Sequence, residues 1–493
     1  MYLLGYDIGS SSIKASLINA ESGVCIASAF SPEQEMQIIS MKPGWAEQHP
    51  ETWWENLIKA TRSMLAKSRV NPIDIKAIGI SYQMHGLVCV NKDYQVIRPS
   101  IIWCDSRAVE IGNKAFAEIG EKTCQEHLLN SPGNFTASKL RWMRENEPEL
   151  YDKIYKFMLP GDYIALRMTG ECCTTVSGLS EGILWDFKNQ QIAQFLLDYY
   201  EIDNKLIPQI IETFSEQGKL TPGAAKELGL NPGTPVTYRS GDQPNNALSL
   251  HVNNPGDIAA TAGTSGVVYG ISDVVRYDPL SRVNTFIHLN HKPVQPGLGV
   301  LLCINGTGIL NSWMKNNIAV PGLSYDEINQ LASEIQPGCK GLMILPFGNG
   351  AERMLENKET NANFYNLNFN IHSSKHLLRA AQEGIAFAFH YGMQIMKETG
   401  INIHVIRAGH QNMFLSKVFR QTLADISHVC VELYDTDGAQ GAAKGAGIGA
   451  KIYATFEEAF QSLTKQLLIE PDEKNRKIYL EVYDQWKNVL DRL

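Results

Sequence analysis

Several functional classes are excluded by what the sequence lacks. No apolar run approaches the ~20 residues needed to span a bilayer. No basic N-terminal region precedes an apolar core and a small-residue cleavage site. The expectation is a cytoplasmic protein with no membrane partner. Lys/Arg tracts are also missing, and the net charge is −8, from 44 Lys+Arg against 52 Asp+Glu. Nucleic acid is therefore not an expected partner, and an anionic ligand would be held by local backbone amides and metal rather than by a global field. The nine cysteines are odd in number, lack metal-ligand spacing and include the adjacent Cys172-Cys173. They read as reduced thiols. The Gly-x4-Gly-Lys-Ser/Thr pattern of a P-loop does not occur at the opening turn.

What is present is ordinary globular composition, 44% hydrophobic and 19% charged, over 493 residues. That length is too great for one core and predicts two large domains. The informative stretch comes first. Leu3 to Ile8 is an apolar run interrupted by Asp7; Gly9, Ser10, Ser11 and Ser12 follow; then Ile13, Ala15 and Leu17 alternate with Lys14 and Ser16. Alternation predicts strand, tight polar turn, strand. Gly9 lets a ligand approach the backbone, and amides and hydroxyls in the turn can donate to phosphate oxygens. Asp7, at the mouth of the turn, could hold Mg²⁺ directly or through water. A plain Gly/Ser hairpin with a solvated aspartate reads the same way.

Further along, a strand is predicted near Val24 to Phe30. A helix follows from Glu51 with Trp53, Leu57, Ala60 and Leu65 on one face. Ile75 to Ser81 and Leu87 to Val90 read as further strands. This is α/β layering with a crossover helix. Residues 131–235 are richer in helix. Pro235 to Arg239 is a strand running into Gly241-Asp242-Gln243, and the domain boundary is placed after it: residues 1–245 and 246–493. Ile258 to Tyr269 then repeats the strand, Gly/hydroxyl turn, strand pattern about 250 residues later, which suggests a duplicated domain. Leu377 to Lys397 is a helix with a core stripe of Leu378, Ala381, Ile385 and Phe389. Val405 to Gly409 is a strand, and Phe414 to Ile426 a helix. Asp435 to Ala443 is a polar turn entering a helix of small residues, which permits close approach by another helix or by a flat ligand. The tail from Phe456 reads as charged and helical.

Asp242, at a strand end, is the candidate general base, because a hydroxyl attacking phosphorus needs a carboxylate within reach of its proton. The plain alternative is a turn aspartate. Met84 and His85 follow a buried strand and offer an apolar surface with a donor/acceptor, as a sugar site requires. In Trp103-Cys104-Asp105-Ser106-Arg107, the side chains either add sugar contacts or Asp105 and Arg107 simply pair.

Taken together, the motifs resemble the FGGY family of carbohydrate kinases. The matching pieces are Gly5-Tyr6-Asp7-Ile8-Gly9-Ser10-Ser11-Ser12-Ile13-Lys14, Gly44-Trp45-Ala46-Glu47-Gln48, Gln83-Met84-His85-Gly86, Trp103 to Arg107, Lys139 to Trp142, Leu159 to Tyr163, Gly241-Asp242, Gly263-Thr264-Ser265-Gly266 and Gly438 to Ala443. They stand in the family's order over nearly the whole chain. The resemblance implies an α/β chain of two actin-like (ribonuclease-H-like) ATPase domains with a cleft between them. It implies ATP and Mg²⁺, with Asp7 as the metal-associated carboxylate and Asp242 as the base. Ser10, Ser11, Ser12, Gly263 and Thr264 would meet phosphate with Lys14 beside them, and Gly308 and Gly409 the nucleotide. Met84 and His85 match the sugar pair of members acting on xylulose, with Trp103, Asp105 and Gln243 as further substrate contacts. The implied reaction is D-xylulose to D-xylulose 5-phosphate. Ribulose, gluconate or a deoxyketose are alternatives, as is a non-catalytic actin-like sugar- or nucleotide-binding module. A homodimer is compatible with this pattern. Three departures from the family pattern stand out: Ala408-Gly409-His410 in place of a richer glycine turn, Gln243 in place of Asn after the base, and Asn349-Gly350-Ala351-Glu352-Arg353 in place of a Ser-Gly-Glu-Arg-like stretch.

Overall fold

The apolar run and the alternating residues after it form the antiparallel hairpin expected of them. β1 (Tyr2–Ile8) pairs with β2 (Ile13–Asn19) in the register Asp7↔Lys14, and β2 pairs with β3 (Cys25–Ser31). β4 (Ile75–Tyr82) lies parallel to β1 and places Ser81 opposite Asp7; β5 (Val236–Gly241) lies parallel to β4. The sheet order is β5-β4-β1-β2-β3. The chain is a computed structural model that describes all 493 residues. It packs as two units. The first comprises Met1–His251, Phe286–Gly297 and Thr436–Leu463; the second comprises Val252–Thr285, Leu298–Asp435 and Thr464–Leu493.

In the first unit, helix Pro50–Ser68 lies on the sheet and buries Trp53, Trp54, Leu57, Ala60 and Met64. Met64, four residues after Ala60, takes the inward seat expected of Leu65, which is only partly buried. Each such aliphatic side chain contributes about 1.5–3 kcal/mol by leaving water. The small-residue helix Gly438–Gly449 lies on the other face. A Cβ on Gly5 would fall 1.9 Å from the Ala439 carbonyl oxygen, and one on Gly79 2.0 Å from that of Ala442. A Cβ on Gly441 would fall 2.5 Å from Ser249 Cβ. The small residues of this helix therefore serve contact with two sheet glycines and helix Asp242–Ser249. They do not form an adenine platform. This helix belongs with the first unit although it lies late in the chain, so the units do not follow a single cut after residue 245.

In the second unit, β6 (Asp257–Ala262) and β7 (Gly266–Ser272) form a hairpin of the same kind. Strands β8 (Asn284–Ile287), β9 (Leu298–Ile304), β10 (Val405–Gly409), β11 (Cys430–Tyr434) and β12 (Lys465–Ile469) complete a sheet in the order β8-β9-β7-β6-β10-β11-β12. Helix Ser374–Glu398 buries the expected Leu378, Ala381, Ile385 and Phe389. Within the expected helical tail, Lys465–Ile469 instead pairs antiparallel with β11. Its run of residues has no strand alternation, so the free edge of β11 decides its conformation. Helix Glu473–Leu490 then buries Tyr479, Tyr483 and Trp486, and the Trp486 Nε1–H donates to the Ile344 carbonyl at 2.9 Å. None of the nine cysteines forms a disulfide, and no helix is long and apolar enough to cross a membrane.

Candidate functional site

In the first unit the strand ends gather most of the predicted residues. The Ser81 hydroxyl donates to Asp7 Oδ1 at 3.0 Å. A Cβ on Gly438 would fall 2.4 Å from Asp7 Oδ2, so only glycine leaves that carboxylate its place. Burial pushes Asp7 upward, and the Asp437 charge adds to this. Lys14 Nζ donates to Asp437 Oδ2 at 2.5 Å, beside the same turn. The turn is closed by Gly9 N–H donating to Ser12 O at 3.1 Å. Gln48 Nε2 donates to the Ser10 carbonyl at 2.7 Å, and Trp103 Nε1 to Ser10 Oγ at 3.3 Å. Trp103 is otherwise 51% exposed.

Asp242 is the first residue of helix Asp242–Ser249, entered directly from β5. Burial, then the Asp7 charge, push its carboxyl up to about 7. The charge of Asp7, from the first strand of the chain, is thus felt at Asp242 within one unit. Next to Asp242, Gln243 Oε1 is buried without a partner. A Cβ on Gly241 would meet Met84 Cγ at 2.6 Å, so Met84 stands against the strand end that carries Asp242. His85, at φ +60°, packs edge-on to Phe135 at 4.8 Å and against Phe286 at 5.4 Å. Asp105 settles the alternatives left by its motif. Its carboxylate accepts from Ala46 N at 2.6 Å and pairs with Arg107 Nη2 at 2.7 Å. It is wholly buried, so its part is to anchor the loop that carries Trp103.

Three buried residues that sequence reasoning missed stand in this arrangement. The Gln83 carboxamide is 3% exposed, and neither Oε1 nor Nε2 has a partner. Buried amides left unpaired are uncommon and call for an explanation. Lys139, wholly buried, donates to the His85 and Ile102 carbonyls at 2.9 Å each, and burial pushes it down to about 7. Glu181, 2% exposed, stands behind His85. Gln83 and Lys139 lay inside motifs already singled out; Glu181 had no sequence signal.

In the second unit, Gly263, Thr264 and Gly308 come together around a cavity of about 410 Å³, within the range of small-ligand sites. Gly308 opens helix Gly308–Asn317. Its N–H donates to Gly263 O at 3.0 Å, and Ile309 N–H to Thr264 O at 3.0 Å. A Cβ at Gly308 would fall 2.2 Å from Gly263 O. Asn311, Ser312 and Tyr325 add neutral polar groups, and Asn412 and Met413 a further wall. Gly409 is not part of that lining; it ends β10, and the segment after it supplies the wall. Glu352 explains the unusual Asn349–Arg353 stretch. Its carboxylate accepts from Asn305 N and Gly306 N at 3.1 Å each and fixes the loop entering Gly308.

One unit offers interacting carboxylates with unpaired amides, the other a neutral Gly/hydroxyl cavity, on sheets of one topology. This combination suits phosphoryl transfer, which needs a proton acceptor, a cation site and a nucleotide cradle. The chain belongs to the FGGY family of carbohydrate kinases: residues 2–249 match the family's N-terminal domain and residues 258–450 its C-terminal domain. It is a sugar kinase. It is 29% identical over 499 residues to the xylulose kinase of Bacillus subtilis (strain 168), covering 99% of this chain and 96% of that one. It is also similar in structure to the xylulose kinase from Rhodospirillum rubrum, with a TM-score of 0.89, 24% identity and coverage of 100% and 99%. The gluconate kinase from Lactobacillus acidophilus shares the fold at a TM-score of 0.90, 21% identity and coverage of 100% and 98%.

Proposed function

We propose that the chain transfers the γ-phosphoryl group of ATP to the terminal hydroxyl of a ketopentose, with D-xylulose the substrate and D-xylulose 5-phosphate the product. The observation that carries this reading is Asp242, a carboxyl pushed up to about 7 by burial and by Asp7. Such a group is ionised often enough near neutral pH, and basic enough, to take a hydroxyl proton. The full-length relatives named xylulose kinase support the choice of sugar.

In this reading the first unit carries the sugar side and the second the nucleotide side. Met84 gives the sugar an apolar surface, and His85, Gln83 and Gln243 meet its hydroxyls. The unpaired amide atoms of Gln83 and Gln243 are thereby accounted for. Gly263, Thr264 and Gly308 hold the nucleotide, with Gly409 supporting the segment that walls the cavity. Ser10, Ser11 and Ser12 donate to the transferring phosphate. The sugar oxygen attacks the γ-phosphorus as its proton passes to Asp242, and the bond to the ADP oxygen breaks. Asp7 fits Mg²⁺, which binds through one or two carboxylates plus substrate phosphates, not through a cage of protein ligands. No group of three or more His, Cys, Asp or Glu forms such a cage here. Mg²⁺ bound at Asp7 would neutralise phosphate charge.

Purified protein tested for ADP release with D-xylulose, ribulose, gluconate and a deoxyketose should give the highest kcat/KM with D-xylulose. A clear preference for another sugar overturns the substrate. Sugar binding by calorimetry without ADP release from any of them overturns the transfer. Asp242→Ala should stay folded and bind ATP while losing about 10³-fold in kcat; near-normal turnover removes the base.

A further inference from the structure

Glu181 ends the short helix Val176–Glu181 and reaches two loops at once. Its Oε1 lies 3.4 Å from His85 N, and its own carbonyl oxygen 2.9 Å from His85 Nδ1. A carbonyl only accepts, so Nδ1 carries the ring proton and the tautomer is set. On its other side, a Cβ on Gly241 would fall 2.4 Å from Glu181 Oε2, which packs the carboxyl against the residue preceding Asp242. We propose that Glu181 is a positioning residue for the transfer reaction, locking the Met84–His85 loop to the strand end that carries Asp242. The inference rests on the sugar role given to that loop above.

The form in which Glu181 does this is also legible. Burial, with the Asp242 and Asp162 charges, pushes it well above the carboxylate range. Toward His85 N it serves as an acceptor, and a carboxamide of the same shape keeps that acceptor. The left-handed φ of +60° at His85 costs energy in a non-glycine residue. The Glu181 contacts and the Lys139 bond to the His85 carbonyl are what hold it there.

Kinetics of Glu181→Ala and Glu181→Gln test this. Glu181→Ala should raise the sugar KM about tenfold, the loss of one buried hydrogen bond, and leave the ATP KM within about threefold. Glu181→Gln should recover most of that loss. In ¹H–¹⁵N spectra the His85 backbone amide, which donates to Glu181 Oε1, should keep its shift and exchange protection in Glu181→Gln and lose both in Glu181→Ala. Equal rises in both KM values, or Glu181→Gln as impaired as Glu181→Ala, overturn the proposal. Should Glu181→Ala fail to fold, a tenfold loss in Glu181→Gln alone overturns it. If wild type phosphorylates none of the sugars, the kinase substrate reading fails by itself, and the His85 amide signal still decides whether the Glu181 side chain holds His85.

Discussion

The two polar hairpins sit on sheets of one plan and carry different chemistry. In the first unit β3-β2-β1 run antiparallel, and β4 and β5 follow in parallel; in the second, β9-β7-β6 run antiparallel, and β10 and β11 follow in parallel. Aligned on the turn glycines Gly9 and Gly263, Asp7 falls on Thr261. The scaffold is repeated and the carboxylate is not. Neutral donors suit a polyanion that binds without expelling its charge. A carboxylate suits the place where a cation and a proton acceptor are wanted. The duplication suggested by the recurring hairpin is thus visible in strand order and direction. The division of labour lies in single side chains.

Making the turns alike should break this division. Asp7→Thr gives the first turn the residue type of the second and should lower kcat by about 10²–10³-fold with folding preserved, as expected for loss of one electrostatic group at the reacting phosphate. Activity within tenfold of wild type would mean that the difference between the turns has no catalytic meaning. A smaller effect should separate the turn glycines. Gly308→Ala sets a Cβ 2.2 Å from Gly263 O and must move the turn, whereas Gly9→Ala sets one 3.1 Å from Ser12 O, a contact that a small shift relieves. The ATP KM should rise about tenfold in Gly308→Ala and about twofold in Gly9→Ala, in line with 1.4 kcal/mol per decade. The reverse order would invalidate the placement of the nucleotide.

The pH dependence probes the first unit alone. Asp242 must be ionised to act, so kcat/KM should fall on the acid side with a limb near pH 7, the value to which Asp242 is raised. A limb near pH 4 would show a base perturbed neither by burial nor by Asp7. The smallest effect concerns stability. A carboxyl whose folded pKa lies above that of the unfolded chain holds its proton more tightly when folded. The stability from that proton is complete below about pH 4 and is lost as pH rises through about 7. Asp242→Asn removes the ionised, buried form and should raise the melting temperature by about 2–4 °C at pH 8 for each kcal/mol regained. The gain should vanish at pH 4; a gain independent of pH would contradict the raised pKa.

Much of the α/β frame was readable because its signals are local. An apolar run marked β1, alternation marked β2, and a glycine-hydroxyl turn marked each hairpin. An apolar stripe at helical spacing marked Ser374–Glu398. Asp7 and Asp242 could be chosen because each sits near a strand end within two residues of a glycine. Asp105 could not be resolved by pattern: whether a carboxylate faces a ligand or an arginine depends on what packs across from it, here Arg107 and the Ala46 amide. The strand Lys465–Ile469 has no alternating period and exists because β11 presents an open edge.

By itself the sequence determined the strand and helix periods, the two turns and the residue types able to do phosphoryl chemistry. These depend on neighbours within a few positions. Only the tertiary structure decided which carboxylates interact, that helix Gly438–Gly449 packs on Gly5 and Gly79, and that Glu181 stands behind His85. Burial and charge proximity across more than ninety residues of chain have no local signature, and they set both the Asp242 proton affinity and the shape of the loop beside it.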